Sequence, residues 1–234
     1  VPGPQVHLPA WYLEGFAARP EAGDAGPQVW AYRPWIGEWK RAPASRPAGA
    51  EHHFDDLEEG ALDGLAALGD EMAALGADLA PLLREGLGAR RPLAAGARGA
   101  LGRFVALAAV RNARGAGALP LAEARAGVEA LERLLGEMGW VFWLAPGKSY
   151  FITSSTPFHA ALPARDRISA GFRLTEPEAE VTMPLTARAA LHGTWRRKGE
   201  LWREASEDAH LELNGRTCKG ASGFLVSPEA ALPG

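Results

Sequence analysis

Residues 121–157 read LAEARAGVEALERLLGEMGWVFWLAPGKSYFITSSTP, and the hydrophobic period changes in the middle of them. From Leu121 to Met138 the apolar residues recur by threes and fours, the spacing of a helix with one buried stripe. After Gly139 they gather into short runs, Trp140 to Leu144 and Tyr150 to Thr153, on either side of Pro146-Gly147-Lys148. That arrangement predicts two strands joined as a hairpin.

On the N-terminal side the same helical period holds. Phe54, Leu57, Ala61, Leu65, Leu68, Met72, Leu75, Leu79 and Leu82 place a stripe along one helix, with Asp55 or Asp56 at its start. Gly64, Gly69, Gly76 and Pro81 interrupt the pattern, each costing about 1 kcal/mol or more relative to Ala, so a kink or break is expected near Gly69 or Pro81. A second helix is predicted over about Leu93 to Val110 and joins the third, from Leu121, through Gly115-Ala116-Gly117. All three stripes are read as apolar on one side only. The first fifty residues carry four of the eight Trp, and prolines at 9, 20, 27, 34, 43 and 47 forbid a long helix there. Val29 to Tyr32 and Glu38 to Arg41, separated by Pro34 and Gly37, read as an aromatic-rich hairpin, preceded by a helical turn or two at Trp11 to Phe16.

On the C-terminal side Ile168 to Leu174, Val181 to Leu185 and Ala190 to Trp195 are strand candidates, the last turning through Arg197-Lys198-Gly199 into Leu201-Trp202. Ala209, Leu213, Thr217 and Ala221 step by fours as a final helix before a short strand, Phe224 to Val226. Strands, then helices, then strands with one helix argue for an α+β domain over 1–234, in segments 1–53, 54–139 and 140–234, rather than a doubly wound sheet.

Composition narrows the function classes. The chain has 234 residues, 47% hydrophobic and 23% charged, with Gly and Pro making about a fifth. Its 25 basic and 28 acidic residues leave a formal charge of -3, against a wholesale polyanion binder. The single Cys, Cys218, excludes an intrachain disulfide and a Cys-based zinc ribbon, and with no apolar run long enough to cross a bilayer a cytoplasmic protein is expected. Walker A, Gly-x-Gly-x-x-Gly, His-Glu-x-x-His and Gly-x-Ser-x-Gly patterns are missing.

Several stretches occur in an order that resembles a known family. They are Pro9 to Phe16, Val29 to Tyr32, Glu51 to Phe54, Phe104 to Arg111, Phe151-Ile152-Thr153-Ser154-Ser155-Thr156-Pro157, Leu213-Asn214 and Phe224 to Ser227. Together they resemble the uncharacterised family called domain of unknown function 4238, which opens with His, two residues and Pro and carries the signature Phe-Ile-Thr-Ser-Asp-Asn-Pro. The resemblance spans nearly the whole chain and supplies no activity. It implies that Glu51, Arg111, Ser154, Ser155 and Asn214 converge on one pocket. Two positions depart from it: the first His falls at Val6, beside His7, and the signature Asp and Asn fall at Ser155 and Thr156. A hydroxyl is neither anionic nor basic near neutrality, so a role carried by that Asp is weakened here.

The residues themselves allow paired readings. Glu51-His52-His53-Phe54-Asp55-Asp56 can offer a His and carboxylates to a divalent metal, with His7, His53 and Asp55 as ligands, or can be a solvated helix start rich in caps. Arg84 to Arg114 has seven Arg against Glu85. Arg111 is then a clamp for phosphate or carboxylate, or the partner of an acid such as Glu51. Ser154 and Ser155 end a strand, where active-site loops begin, or cap a turn. His159, His192 and His210 have no partner at ligand spacing. Arg188, Arg196, Arg197, Lys198 and Arg203 with Trp195 and Trp202 form a stacking platform for a single strand, or a hairpin with core Trp. The expected function is hydrolysis or binding of a phosphorylated small anion or nucleic acid, with Arg111 and Asn214 at the ligand and Glu51 as base or metal ligand. The alternative is a non-catalytic interaction or structural module.

Overall fold

The computed structural model describes residues 8–46, 59–111, 120–162, 174–221 and 223–233, with the side chains of 59–63 left aside. The fold is α+β, with the main core on one face of a five-stranded sheet. Those strands are β3 (Gly139–Leu144), β5 (His159–Ala161), β6 (Glu180–Thr186), β7 (Ala189–Thr194) and β8 (Glu200–Glu204), in the order β5-β6-β7-β3-β8. Only β3 and β8 run parallel. The second sheet holds β1 (Gln28–Arg33), β2 (Glu38–Pro43), β4 (Thr153–Ser154) and β9 (Leu225–Ser227), ordered β2-β1-β9-β4 and antiparallel throughout.

The apolar run of β3 determines its place. Trp140 and Phe142 are buried on one face and Val141 on the other, so the strand must be covered on both sides, as a central strand is. It sits between β7 and β8 accordingly, and this overturns two expected hairpins. Trp140–Leu144 does not pair with the segment after Pro146. The turn at 146–149, closed by Ser149 N–H donating to the Pro146 carbonyl at 2.8 Å, instead carries the chain into the other sheet. Nor does β7 pair with β8, because β3 lies between them and the 195–199 loop passes over its first residue. A Cβ on Gly139 would lie 2.5 Å from the Arg197 carbonyl oxygen, so only glycine admits that crossing. The β1–β2 hairpin forms as expected, and β6 and β7, expected only as separate strands, pair as a second hairpin. Most of the strand expected at 168–174 lies outside the described residues.

Helices α2 (Glu59–Ala74), α3 (Gly76–Pro81), α4 (Ala95–Arg111) and α5 (Leu121–Glu137) contribute the rest of the main core, after a short N-terminal α1 (Ala10–Leu13). α5 has one stripe, Ala124, Val128, Leu131 and Leu135. α4 departs from the one-sided expectation: Leu101, Gly102 and every residue from Phe104 to Ala108 are buried, since this helix is enclosed by its neighbours. α2 does not kink at Gly69; the helix breaks at Leu75, and past Pro81 the chain continues in wider turns to Gly86. The glycines are there for proximity. A Cβ on Gly69 would lie 3.1 Å from the Arg111 guanidinium, and one on Gly76 would lie 2.5 Å from the Trp11 ring. The other face of the five-stranded sheet packs a smaller cluster, including Phe151, Ala190 and Leu213, beneath α6 (Glu207–Gly220). Among the described residues no helix is long and apolar enough to cross a membrane.

Trp11 is held against Phe104, ring centroids 4.8 Å apart, and has little room to retreat. Gly76→Ala is therefore expected to destabilise by roughly 1–3 kcal/mol even though alanine favours a helix. Gly99→Ala in α4 faces open space and should gain up to about 1 kcal/mol. Urea unfolding of both variants checks the pair of signs.

Candidate functional site

Three residues singled out from sequence, Ser154, Ser155 and Asn214, come together around the segment 150–156, which runs between the sheets with only Thr153 and Ser154 in a strand. A buried backbone without ladder partners must find others. α6 supplies them. The helix starts at Ser206, whose hydroxyl accepts from Ala209 N–H at 3.3 Å, and its buried face carries His210, Leu213, Asn214 and Thr217. Asn214 Oδ1 accepts from Ile152 N–H at 3.0 Å, and Nδ2 donates to the Tyr150 carbonyl at 3.1 Å. His210, donating through Nε2, reaches the same carbonyl at 2.8 Å. Asn214 thus acts as a side-chain substitute for a neighbouring strand.

The hydroxyls of 153–156 are used in the same way. Tyr12 lies 2.7 Å from Thr153 Oγ1 and donates to the Pro184 carbonyl at 2.7 Å, so one phenol ties α1 to both sheets. Burial pushes its pKa well above the ordinary phenol value, and it stays protonated. Ser154 Oγ accepts from Thr156 N–H at 3.3 Å, Ser155 Oγ accepts from Gly223 N–H at 2.9 Å, and Thr156 Oγ1 donates to the Gly220 carbonyl at 2.6 Å.

Arg111 closes α4 and is 2% exposed, its Nε donating to the Leu65 carbonyl at 2.9 Å. Burial lowers its pKa to about 10, with Asp70 acting the other way, and it remains charged at neutrality. Glu51, the acid expected beside it, and the expected metal ligands His7, His53 and Asp55 lie outside the described residues. Among the described residues no three His, Cys, Asp or Glu side chains stand close enough to share a metal ion.

A polar row was not legible from spacing. His159, Thr182 and His192 lie opposite one another across β5, β6 and β7. Trp143 Nε1–H donates to His192 Nδ1 at 3.2 Å, and His192 Nε2 lies 3.3 Å from Glu180, which also receives Arg216 at 3.4 Å. Glu180 is held below the usual carboxylate range: burial raises its pKa, and the His192 and Arg216 partners outweigh that. Both His192 nitrogens face a partner, so the ring has no lone pair directed at a substrate. His159 sits against Gly220, where a Cβ would come within 2.2 Å of the ring, and its buried Nε2 has no hydrogen-bond partner. Burial, then the charge of Arg216, lowers its pKa to about 4. The only hint in sequence is Thr182 within the apolar strand Val181 to Leu185, with Glu180 two residues before that Thr.

The second basic and aromatic segment is divided by the fold. Trp202 stacks on Phe142 at 4.8 Å, and Trp195 Nε1–H donates to the Leu174 carbonyl at 2.6 Å. These rings belong to the core and its margin, which leaves the platform without its aromatic floor.

An open cleft of about 620 Å³ lies on the other side of the 146–149 turn, between the chain after α1, the first residues of β1, the β6–β7 turn and residues 228–230. Arg19, Trp30, Lys148, Tyr150, Arg188 and Glu229 are among its lining. The Arg188 guanidinium is fixed by the Ala145 carbonyl at 2.7 Å and by the Ser149 carbonyl, both neutral. Glu14 and Glu21 also line it but are paired outward, with Arg84 and with Arg41. Among the described residues neither Arg19 nor Lys148 has an acidic side-chain partner within 4.0 Å. One Arg41 serves both Glu21 and Asp24, so the three cations stand against Glu229 and one further carboxylate, and the cleft keeps a net positive charge.

Ser155→Ala removes the acceptor of the buried Gly223 N–H and should cost roughly 1–3 kcal/mol in urea unfolding, with Thr156→Ala costing less because its hydroxyl leaves only a carbonyl short of one donor. His159 gives a pH test. Its pKa is about 4 in the fold and about 6.5 in an unfolded chain, so the unfolded state takes up the proton first as pH falls. The contribution is complete above about pH 6.5 and is lost progressively down to about pH 4, roughly 3 kcal/mol in all. The difference in unfolding free energy between wild type and His159→Gln, measured at several pH values, should narrow by that amount on acidification.

Comparison of the chain with known proteins found no matching family model, no matching curated protein and no matching solved structure, so its functional reading rests on the geometry of these residues.

Proposed function

We propose that this protein binds a small anionic molecule, phosphorylated or carboxylated, in the cleft beside the 146–149 turn. The observation that supports this reading is the surplus of positive charge: Arg19, Lys148 and Arg188 line one cleft, and of its acids Glu14 is paired with Arg84 outside it while Glu21 shares Arg41 with Asp24. Arg188 is the anchor. Held by two carbonyls it keeps its full charge and loses little freedom when a ligand arrives, and pre-organisation of that kind raises affinity without new contacts. Tyr150 and Trp30 add flat apolar wall, and the volume falls within the ~300–1,000 Å³ usual for small-molecule sites.

Binding rather than hydrolysis is proposed because what supports the reading is charge, and among the described lining residues no hydroxyl is hydrogen-bonded to a carboxylate that would activate it. The buried polar residues Ser154, Ser155 and Asn214 are, on this reading, the frame that sets the 146–149 turn in place.

Titration calorimetry at low salt with inorganic phosphate, pyrophosphate and a panel of phosphomonoesters and dicarboxylates tests it. At least one member should bind, and Lys148→Ala together with Arg19→Ala should weaken it by roughly tenfold or more, the scale of losing a charged hydrogen-bond donor. Equal affinity of wild type and the double variant overturns the reading.

A further inference from the structure

The cleft opens onto a sheet face that the small-ligand reading does not use. Trp30 lines the cleft and stands on β1; Tyr32, two residues on, shares its face. In the antiparallel register Tyr32 faces Trp39 of β2, their rings 5.1 Å apart, and Trp30 faces Arg41. The opposite face is the buried one, carrying Val29, Ala31 and Ala42. Trp30, Tyr32 and Trp39 are each partly exposed. Beyond them the β1–β2 turn, closed by Ile36 N–H and Gly37 N–H on the Arg33 carbonyl with Gly37 at φ +77, holds Trp35 at 53% exposure. Aromatic rings therefore run from the cleft to the hairpin tip, and large partly exposed aromatics in a row usually mark a contact surface.

Resting on the cleft reading, we infer that the ligand is single-stranded nucleic acid, its phosphates held by Arg19, Lys148 and Arg188 and its bases stacked along Trp30, Tyr32 with Trp39, and Trp35. Two observations favour this class. Successive same-face residues of a strand are about 6.8 Å apart, twice the ~3.4 Å rise per stacked nucleotide, so a strand drawn out of its stack can present one base to each ring. The uncompensated cations lie at one end of the ring row, whereas a neutral ligand such as a glycan has no use for them. Of the acids near the row, Glu38 is bound to Arg33, and Glu21 and Asp24 share the one Arg41, which lowers their repulsion of a phosphate without cancelling it. A track of this length takes about four nucleotides, the small end of known single-strand sites.

Fluorescence anisotropy with a short fluorescein-labelled oligouridylate and the matching oligo-dT tests the inference on the full chain. Affinity should fall as salt rises, with a slope shallower by about 0.7 in Lys148→Ala, the share of one single-strand phosphate. Trp39→Ala should weaken binding by roughly tenfold while Trp39→Phe retains most of it, since any π face can stack. Trp35→Ala, at an exposed position, should show the same direction with an unchanged melting temperature, which separates lost stacking from a damaged hairpin. A duplex of equal length should bind more weakly than the single strand. Absence of oligonucleotide binding at low salt, binding indifferent to salt, or affinities unchanged by both Trp39→Ala and Trp35→Ala overturns the inference. If small phosphorylated compounds still bind in a Lys148-dependent manner, the cleft reading stands and the strand reading alone falls; if they do not, both fall.

Discussion

The constraint on which the fold depends is the need to satisfy the backbone of 150–156. This segment crosses from one sheet to the other through the protein interior, where an unpaired N–H or C=O costs as much as a lost hydrogen bond or more. Only two of its residues join a strand. Others of its groups are met by Asn214 and His210 from α6, by the Ala187 carbonyl accepting from Phe151 N–H at 2.9 Å, and by the Phe224 carbonyl accepting from Ser155 N–H at 3.0 Å. Each partner comes from a different part of the chain, so the one segment fixes α6, the β6–β7 turn and the approach to β9 together. The cleft inherits its wall from this arrangement, because Lys148 and Tyr150 sit where the turn enters that segment.

The class of the fold was legible because it depends on period. α5, α6 and the β1–β2 hairpin announce themselves in local spacing, and their bounds fall close to the expected ones. Strand neighbours were not legible. Two runs flanking a Pro-Gly turn carry the signal of a hairpin whether or not they pair, and what separates the cases is burial of Trp140, Phe142 and Val141 on both faces of β3, which no window around the turn reveals. The candidate site divides similarly. Spacing offered no partner for His192, since Glu180 and Trp143 reach it across strand pairs rather than along the chain. The cleft was not legible because Arg19, Lys148 and Arg188 lie far apart in the chain, and spacing groups Arg188 with Arg196 to Arg203 instead.

Glycine was read as a cost to helices, and at three helical positions the structure gives the missing side chain a tenant. Gly69 admits the Arg111 guanidinium, Gly76 the Trp11 ring and Gly220 the His159 ring. In each case a large, partly polar group lies against helix backbone where a methyl would stand. At Gly76 the helical penalty of about 1 kcal/mol is offset by the apolar area that the Trp11 ring buries there.

β9 has a consequence for how the molecule assembles. It lies between β1 and β4, so Tyr32 pairs beside Leu225, partners separated by most of the chain. Until that distant strand arrives, the β1–β2 hairpin has an open edge and an apolar face, the combination that invites pairing with another chain. Closing so long a loop is entropically slow, whereas α4 against α5 and β6 against β7 need only local contacts. The order of events implied is helices and the β6–β7 hairpin first, the small sheet last. Conditions that loosen the last strand would then free the edge of β1 and, through Phe224 and Val226, open the adjoining part of the main core.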